Sequence, residues 1–322
     1  MKRTVVLGFL SALIAVALII HSMPPADDFN PMNPFWNGLS KANEALKFSM
    51  LEDLRRVGVY AGVGEAHGLA LLILGPSTPF TQEEAEAVKG FLMGGGLLIL
   101  ADDFGTGNEL LTILGLDLRL NGSLLLDPLF KLKSRRLPEI IHTAGLEAEG
   151  LILNYATVIT GSGFKTLATS SSFSYLDLNG NLEWDPDEPN GPFTVAAEAG
   201  YGAGGIIVIS DPSFMINCMF EVEGNARLAG HLLKGRKPLL DTSHWRPSPL
   251  SKAKDILTTA FYFISLPEAR YSLTSLVAII ILKTEYRRVR IRMSRVEEVL
   301  KRHPDWDKSI LERLEEDLQH EG

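Results

Sequence analysis

Two strand ends and one short loop carry the residues whose types and spacing could do chemistry. The apolar run Leu-Leu-Ile-Leu-Ala at 97–101 is followed by Asp102 and Asp103, and the run Ile-Ile-Val-Ile-Ser at 206–210 by Asp211, Pro212 and Ser213. In open parallel sheets ligands bind in the crevice beyond the carboxyl ends of the strands. Asp102, Asp103, Asp211 and Ser213 are therefore placed in one ligand pocket, with a hydrolase-like use of the carboxylates as the alternative. An Asp at a strand end also caps the next helix or turns the chain, and spacing alone leaves both readings open.

The loop is the stretch Asp-Leu-Asn-Gly-Asn-Leu-Glu-Trp-Asp-Pro-Asp-Glu at 177–188. Counted from Asp177 as position 1, Asn179, Asn181, Glu183, Asp185 and Glu188 fall at positions 3, 5, 7, 9 and 12. That is the oxygen-ligand spacing of an EF-hand-type calcium loop, in which alternate oxygens wrap the ion and a terminal Glu closes the shell. Leu182 stands at position 6, where Gly usually makes the sharp turn, and the flanks read as strands instead of helices. Two Asn in carboxylate positions imply weak affinity, of about 10⁻⁴ to 10⁻³ M, which suffices outside a cell. The competing reading is a polar surface turn that holds no ion.

Other motifs carry less. Gly62, Gly64 and Gly68 precede a strand, whereas a dinucleotide fingerprint must follow one and open a helix. The Gly-Tyr-Gly-Ala-Gly-Gly run at 200–205 reads as a hairpin turn. No Gly-x-Ser-x-Gly elbow and no His-Glu-x-x-His pair occurs. The single cysteine, Cys218, rules out an internal disulfide and a Cys-based zinc site, and its apolar neighbours predict a buried, inert thiol.

The elements that must position these residues follow from periodicity. Leu69–Pro76 and Leu97–Asp103 read as strands buried on both faces. Between them Thr81 and Glu84 form a capping-box pattern ahead of a helix that Gly94–Gly96 terminate. Strand, helix, strand with short links is a βαβ unit and implies a parallel sheet. Leu39, Ala42, Leu46, Met50, Leu51 and Leu54 show helical spacing, opened by Ser40 and closed by Gly58. Residues 107–120 start with another short helix, residues 151–210 are β-rich, and 213–235 return to helical spacing. The charged tail predicts two helices broken at His303-Pro304. The fold class is α/β, a mostly parallel sheet flanked by helices.

The two ends differ from this core. Two basic residues precede an uncharged apolar run, Thr4–Ile20, which is predicted as an uncleaved transmembrane anchor over 1–21. A second apolar stretch, Ile256–Leu282, precedes a cluster of Arg residues and is predicted to span as well, although Pro267, Glu268 and Arg270 interrupt it. Basic residues at both inner ends place the N-terminus and the 283–322 tail in the cytoplasm and the main domain outside. The Pro-, Asn- and Asp-rich residues 22–38 read as a linker and 39–255 as the α/β domain. Residues 22–255 carry 28 acidic against 18 basic side chains, which excludes nucleic acid as a partner.

The segments Asn33–Leu46, Leu69–Asp103, and Gly191–Asn217 with Asn225 resemble the domain-of-unknown-function 4350 family, over roughly residues 30 to 235. The resemblance implies a membrane-anchored archaeal or bacterial protein with a class I glutamine-amidotransferase-like, flavodoxin-like fold. It also implies protein partners, either a MoxR-type ATPase system or an ABC-type transporter served as accessory subunit. Catalytic amidotransferases use a nucleophilic Cys at a strand-to-helix elbow. The turn after Leu97–Asp103 has Asp103, Phe104 and Gly105 there instead, so the expected role is non-catalytic binding, with calcium as the one expected cofactor.

Overall fold

The computed structural model describes residues 2–144, 146 and 150–320. The chain divides into two compact units, residues 1–253 and 254–322. The first unit runs through α1 (Lys2–Ser22), α2 (Ser40–Leu46), β1 (Ser49–Leu51), a 3-10 turn (Leu54–Tyr60), β2 (Leu69–Leu74), α3 (Gln82–Met93), β3 (Leu97–Ala101) and α4 (Gly107–Ile113). Short strands follow: β4 (Leu118–Leu120), β5 (Leu124–Leu126), β6 (Glu139–Ile140), β7 (His142–Thr143), β8 (Leu151–Ile152), β9 (Ile159–Gly161), β10 (Lys165–Thr169) and β11 (Tyr175–Asp177). The hairpin β12 (Thr194–Tyr201) and β13 (Gly204–Ile209), a 3-10 turn (Ser213–Met215), α5 (Asn225–Leu232), β14 (Lys237–Asp241) and the first residues of α6 (Pro249–Ser265) complete it.

The main sheet has the order β1-β14-β2-β3-β13-β12-β10-β7, with β9 beside β12 and β4 beside β9. From β1 to β13 every pairing is parallel, and from β13 onward every pairing is antiparallel. The expected α/β class and the β2–α3–β3 unit are present. The antiparallel wing explains the β-rich middle of the sequence, because the Gly202 turn returns the chain directly and needs no crossover helix.

Alternation along the central strands feeds two cores. Ala70, Leu72 and Leu74 of β2, with Leu97, Ile99 and Ala101 of β3, join Leu39, Ala42 and Leu228 on one face. Leu71, Ile73, Leu98 and Leu100 join Val88, Phe91 and Leu92 of α3 and Leu110 of α4 on the other. This is why the strands read as continuous apolar runs: helices cover both faces. Each such Leu contributes about 1.5–3 kcal/mol by leaving water. The start of α3 is the expected capping box, with Thr81 Oγ1 accepting from Glu84 N–H and the Glu84 carboxylate accepting from Thr81 N–H. Gly95, at φ +95°, then turns the chain straight into β3.

Three expectations are corrected. The helical pattern over 39–58 breaks after Leu46, where Lys47 adopts a left-handed conformation and the Asn43 side chain accepts the N–H of Phe48. Residues 49–51 then pair with β14, because a parallel partner strand outweighs weak helical periodicity. The expected linker folds back onto the domain. Asn33 is fully buried and Phe29 packs against the main core, held by bonds from Asn33 Nδ2 to Asp27 O and from Asn217 Nδ2 to Asn33 O. Cys218 is exposed, because the turn that buries Ile216, Met219 and Phe220 points it outward.

The second unit holds the rest of α6, α7 (Pro267–Arg302) and α8 (Lys308–His320). Leu266 is extended and Pro267 opens α7, so the apolar stretch 256–282 is broken into a helix pair bent by 76°. The break at His303-Pro304 is present. The helix before it is continuous with the apolar stretch and is not a separate tail element. Among the described residues no single helix is long and apolar enough to cross a membrane. By length and composition the bent pair qualifies only when its two helices are taken together, and Ser11–Ser22 is a shorter apolar helix.

Candidate functional site at the carboxyl edge

The carboxyl ends of β2, β3, β13 and β14 lie side by side, and three of the four carry Asp: Asp102 after β3, Asp211 after β13, and Asp241 closing β14. Over this edge sits a cleft of about 370 Å³ lined by Asp28, Phe29, Asp102, Asp103, Phe104, Trp245 and Arg246, together with Gly75, Pro76 and Pro212. A second cleft of about 320 Å³, lined by Asp27, Met32, Met50 and Glu52 among others, shares Trp245 and Arg246 with the first.

Asp102 is buried and accepts three backbone N–H bonds, from Asp103 at 2.9 Å, Gly105 at 3.0 Å and Gly107 at 2.8 Å. It builds the turn into α4, the structural role open to a strand-end Asp. Burial nevertheless pushes its carboxyl up to about 6, against the N–H bonds and helped by the charge of Asp103. Asp211 is fully buried beneath the cleft and does not line it. It receives Asn154 N–H and Ser213 N–H, each at 2.6 Å, and burial pushes it up to about 7. Half-buried Asp103 is also raised by burial, and its charge acts on both neighbours. The fold thus brings Asp102, Asp103 and Asp211 together, while Ser213 serves the site through its N–H to Asp211.

Sequence reasoning missed the group at the end of β14. His244 Nδ1 lies 2.7 Å from Asp241 Oδ2, its Nε2 lies 3.6 Å from Glu84 Oε2, and the ring stacks on Phe80 at 4.1 Å. The imidazole is buried, which lowers its pKa, yet the two carboxylates outweigh this and raise it overall. Ser243 Oγ donates to Asp241 Oδ1 at 2.6 Å, so this hydroxyl is tied to a carboxylate. The signal was legible: Pro-Leu-Leu-Asp at 238–241 is a third apolar run ending in Asp. Phe29, Trp245 and Arg246 left no such signal, because they reach the cleft from loops distant in sequence.

The 177–188 loop lies apart from the cleft's lining, between β11 and β12, as expected. Buried Asp177 accepts N–H bonds from Gly180 at 2.7 Å and Leu182 at 3.1 Å. Asn179 Oδ1 accepts from Asn181 N–H, and Asn181 Oδ1 from Glu183 N–H. Buried Glu188 accepts from Leu178 and Asp185 N–H. Leu182 has φ +68°, so position 6 makes the left-handed turn despite its side chain. Glu183 turns its carboxylate to Arg135 at 3.2 Å, which leaves its carbonyl for the role that position 7 plays in such loops. Asp185 accepts from the amides of Asn179 and Asn181. Among the described residues no three His, Cys, Asp or Glu side chains form a metal-holding group. Oxygen donors of the hard type calcium takes are present, and a shell here requires the Asn and carbonyl oxygens as well.

The family model for a domain of unknown function (DUF4350) matches residues 32–233. No curated protein matches the chain. Among solved structures, the mmIFT52 N-terminal domain is 15% identical, covers 61% of this chain and 88% of its own, and gives a TM-score of 0.44. A β-galactosidase from Bacillus circulans sp. alkalophilus is 13% identical over 55% of this chain and 24% of its own, at a TM-score of 0.33. A putative ThuA-like protein from Bacteroides uniformis is 14% identical over 59% of this chain and 77% of its own, at 0.30.

Proposed function

Since the chain belongs to the DUF4350 family, we propose that it is a membrane-anchored, non-catalytic binding or accessory module that uses the carboxyl-edge cleft, on a scaffold of the class I glutamine-amidotransferase kind. The observation that carries this reading is how the strand-end carboxylates are employed. Asp102 and Asp211 are consumed by backbone N–H groups, and the turn where an amidotransferase nucleophile would stand holds Asp103, Phe104 and Gly105. Asp103, whose Oδ1 accepts Phe104 N–H while Oδ2 is left over, and Arg246 meet a ligand between the aromatic walls of Phe29, Phe104 and Trp245. Such a cleft, apolar with a few polar groups, suits recognition.

In this reading α1 and the α6–α7 apolar stretch hold the chain in the membrane, with the domain outside and the tail in the cytoplasm. The 177–188 loop takes calcium through Asp177, Asn179, Asn181, Asp185, Glu188 and the carbonyl of Glu183. Partners are sought in a MoxR-type ATPase system or an ABC-type transporter. The deciding experiment is affinity purification of the detergent-extracted protein: a stoichiometric membrane partner, lost in Asp103→Ala and Arg246→Ala, supports the reading.

One observation favours a second reading. Asp102 and Asp103 both line the cleft, and burial raises Asp102 to about 6, with buried Asp211 beside them raised to about 7, an arrangement that suits general acid–base hydrolysis. Reproducible turnover across a panel of hydrolase substrates, abolished by Asp102, Asp103 and Asp211 substitutions, would replace the binding module with an enzyme.

A further inference from the structure

Asp27 ties the start of α6 to the segment that follows α1. Its carboxylate accepts Ser248 N–H at 2.5 Å and the hydroxyl of Ser251, in the first turn of α6, and these bonds hold it ionised, below the usual carboxylate range, despite partial burial. On its other side four residues separate Asp27 from the end of α1 at Ser22, a reach of at most about 18 Å. Ile256, an exposed apolar side chain of α6, stands seven residues beyond Pro249, about 11 Å along a helix. The end of α1 and the first turn of α6 are therefore both within short reach of Asp27, which lines one cleft, while Asp28 lines the other.

The loop around Asp27 lies over the carboxyl edge. Phe29 stacks on Trp245, Phe35 O accepts from Asn217 Nδ2, and Trp36 O accepts from Cys218 N–H. It exposes three large apolar side chains to solvent: Met32 at 61%, Phe35 at 44% and Trp36 at 68%. Two tethers at one corner limit how far that corner can turn from the bilayer. Trp and other large apolar side chains at such a position favour the headgroup region. The charges nearby, Asp28, Glu52 and Asp103 against Arg246, are mostly acidic and do not favour an anionic lipid.

We propose that the carboxyl edge faces the membrane, with Met32, Phe35 and Trp36 seated in the headgroup layer of a zwitterionic bilayer. This rests on the membrane reading above. The opposite edge provides the reference. Val63, 97% exposed, belongs to the loop that feeds the amino end of β2, and a six-residue strand separates the edges by about 20 Å.

The test uses the full chain with Cys218→Ser, carrying an NBD label at Trp36→Cys or at Val63→Cys, in phosphatidylcholine nanodiscs. Dithionite should reduce the label at 36 about tenfold more slowly than at 63, the contrast should persist at 0.5 M salt, and doxyl lipids of shallow depth should quench position 36 only. Equal reduction at both positions, fast or slow, overturns the proposal. Met32→Cys repeats the measurement should Trp36→Cys lower the melting temperature. Release of the unlabelled protein from membranes by alkaline carbonate would instead overturn the membrane reading itself.

Discussion

His244 Nδ1 and Asp241 Oδ2 stand 2.7 Å apart in the interior, with Glu84 3.6 Å from the other ring nitrogen. One helix cap, one strand end and one loop meet in this arrangement, since the carboxylate of Glu84 also closes the capping box of α3. A folded-state pKa above the unfolded value contributes stability that is present below about 6.5 and is lost as pH rises through the folded value. Asp241→Asn removes the charge that holds the imidazolium, at a cost of about 1.5–3 kcal/mol measured by urea unfolding at pH 6. NMR titration of the ring should show its pKa falling in the variant; an unchanged value refutes the assignment.

The carboxyl edge adds a pH dependence of the same sign. Asp102 and Asp211 are raised from 3.8 to about 6 and about 7, so folding favours their protonated forms. Their contribution is present below pH 4 and declines as pH rises toward 7. The melting temperature of the protein should fall between pH 5 and pH 8. Asp211→Asn should flatten that slope, while lowering stability at pH 5 by about 1–3 kcal/mol because one of two buried N–H groups then faces an amide NH₂. A slope unchanged in the variant removes Asp211 from the account.

For the loop, 10 mM calcium should stabilise the detergent-extracted protein by about 1.4–2.7 kcal/mol, given an affinity of 10⁻³ to 10⁻⁴ M. Asp177→Ala should abolish the shift in melting temperature, and Leu182→Gly, which suits φ +68°, should keep it. Absence of any shift in the parent protein retires the calcium reading.

Thr81→Ala should cost about 0.5–2 kcal/mol by urea unfolding, since it deletes the hydroxyl that caps α3. Leu72→Ala, in the wall between the two cores, should cost about 2–5 kcal/mol. A Leu72 cost below that of the exposed cap would contradict the two-face packing.

Orientation is checked by a reporter fused after Arg295. A cytoplasmic signal agrees with a spanning α6–α7 stretch. An external signal shows that the bent pair does not cross.

The sequence alone determined what depends on neighbours along the chain. Continuous apolar runs of five or six residues specify strands buried on both faces, and Thr81 with Glu84 specifies where α3 begins. The Asn, Asp and Glu spacing of 177–188 specifies an oxygen-rich loop between strands. The tertiary structure decided what depends on neighbours across the chain. Residues 49–51 became a strand because β14 offered them a parallel partner. The Asn-rich segment after α1 became part of the domain because Asn33 and Asn217 satisfy each other's surroundings from 184 residues apart. His244, Trp245 and Arg246 became part of the site because strand order puts the end of β14 beside that of β2. Strand order is set by which edges pair, and side-chain periodicity carries no record of that choice.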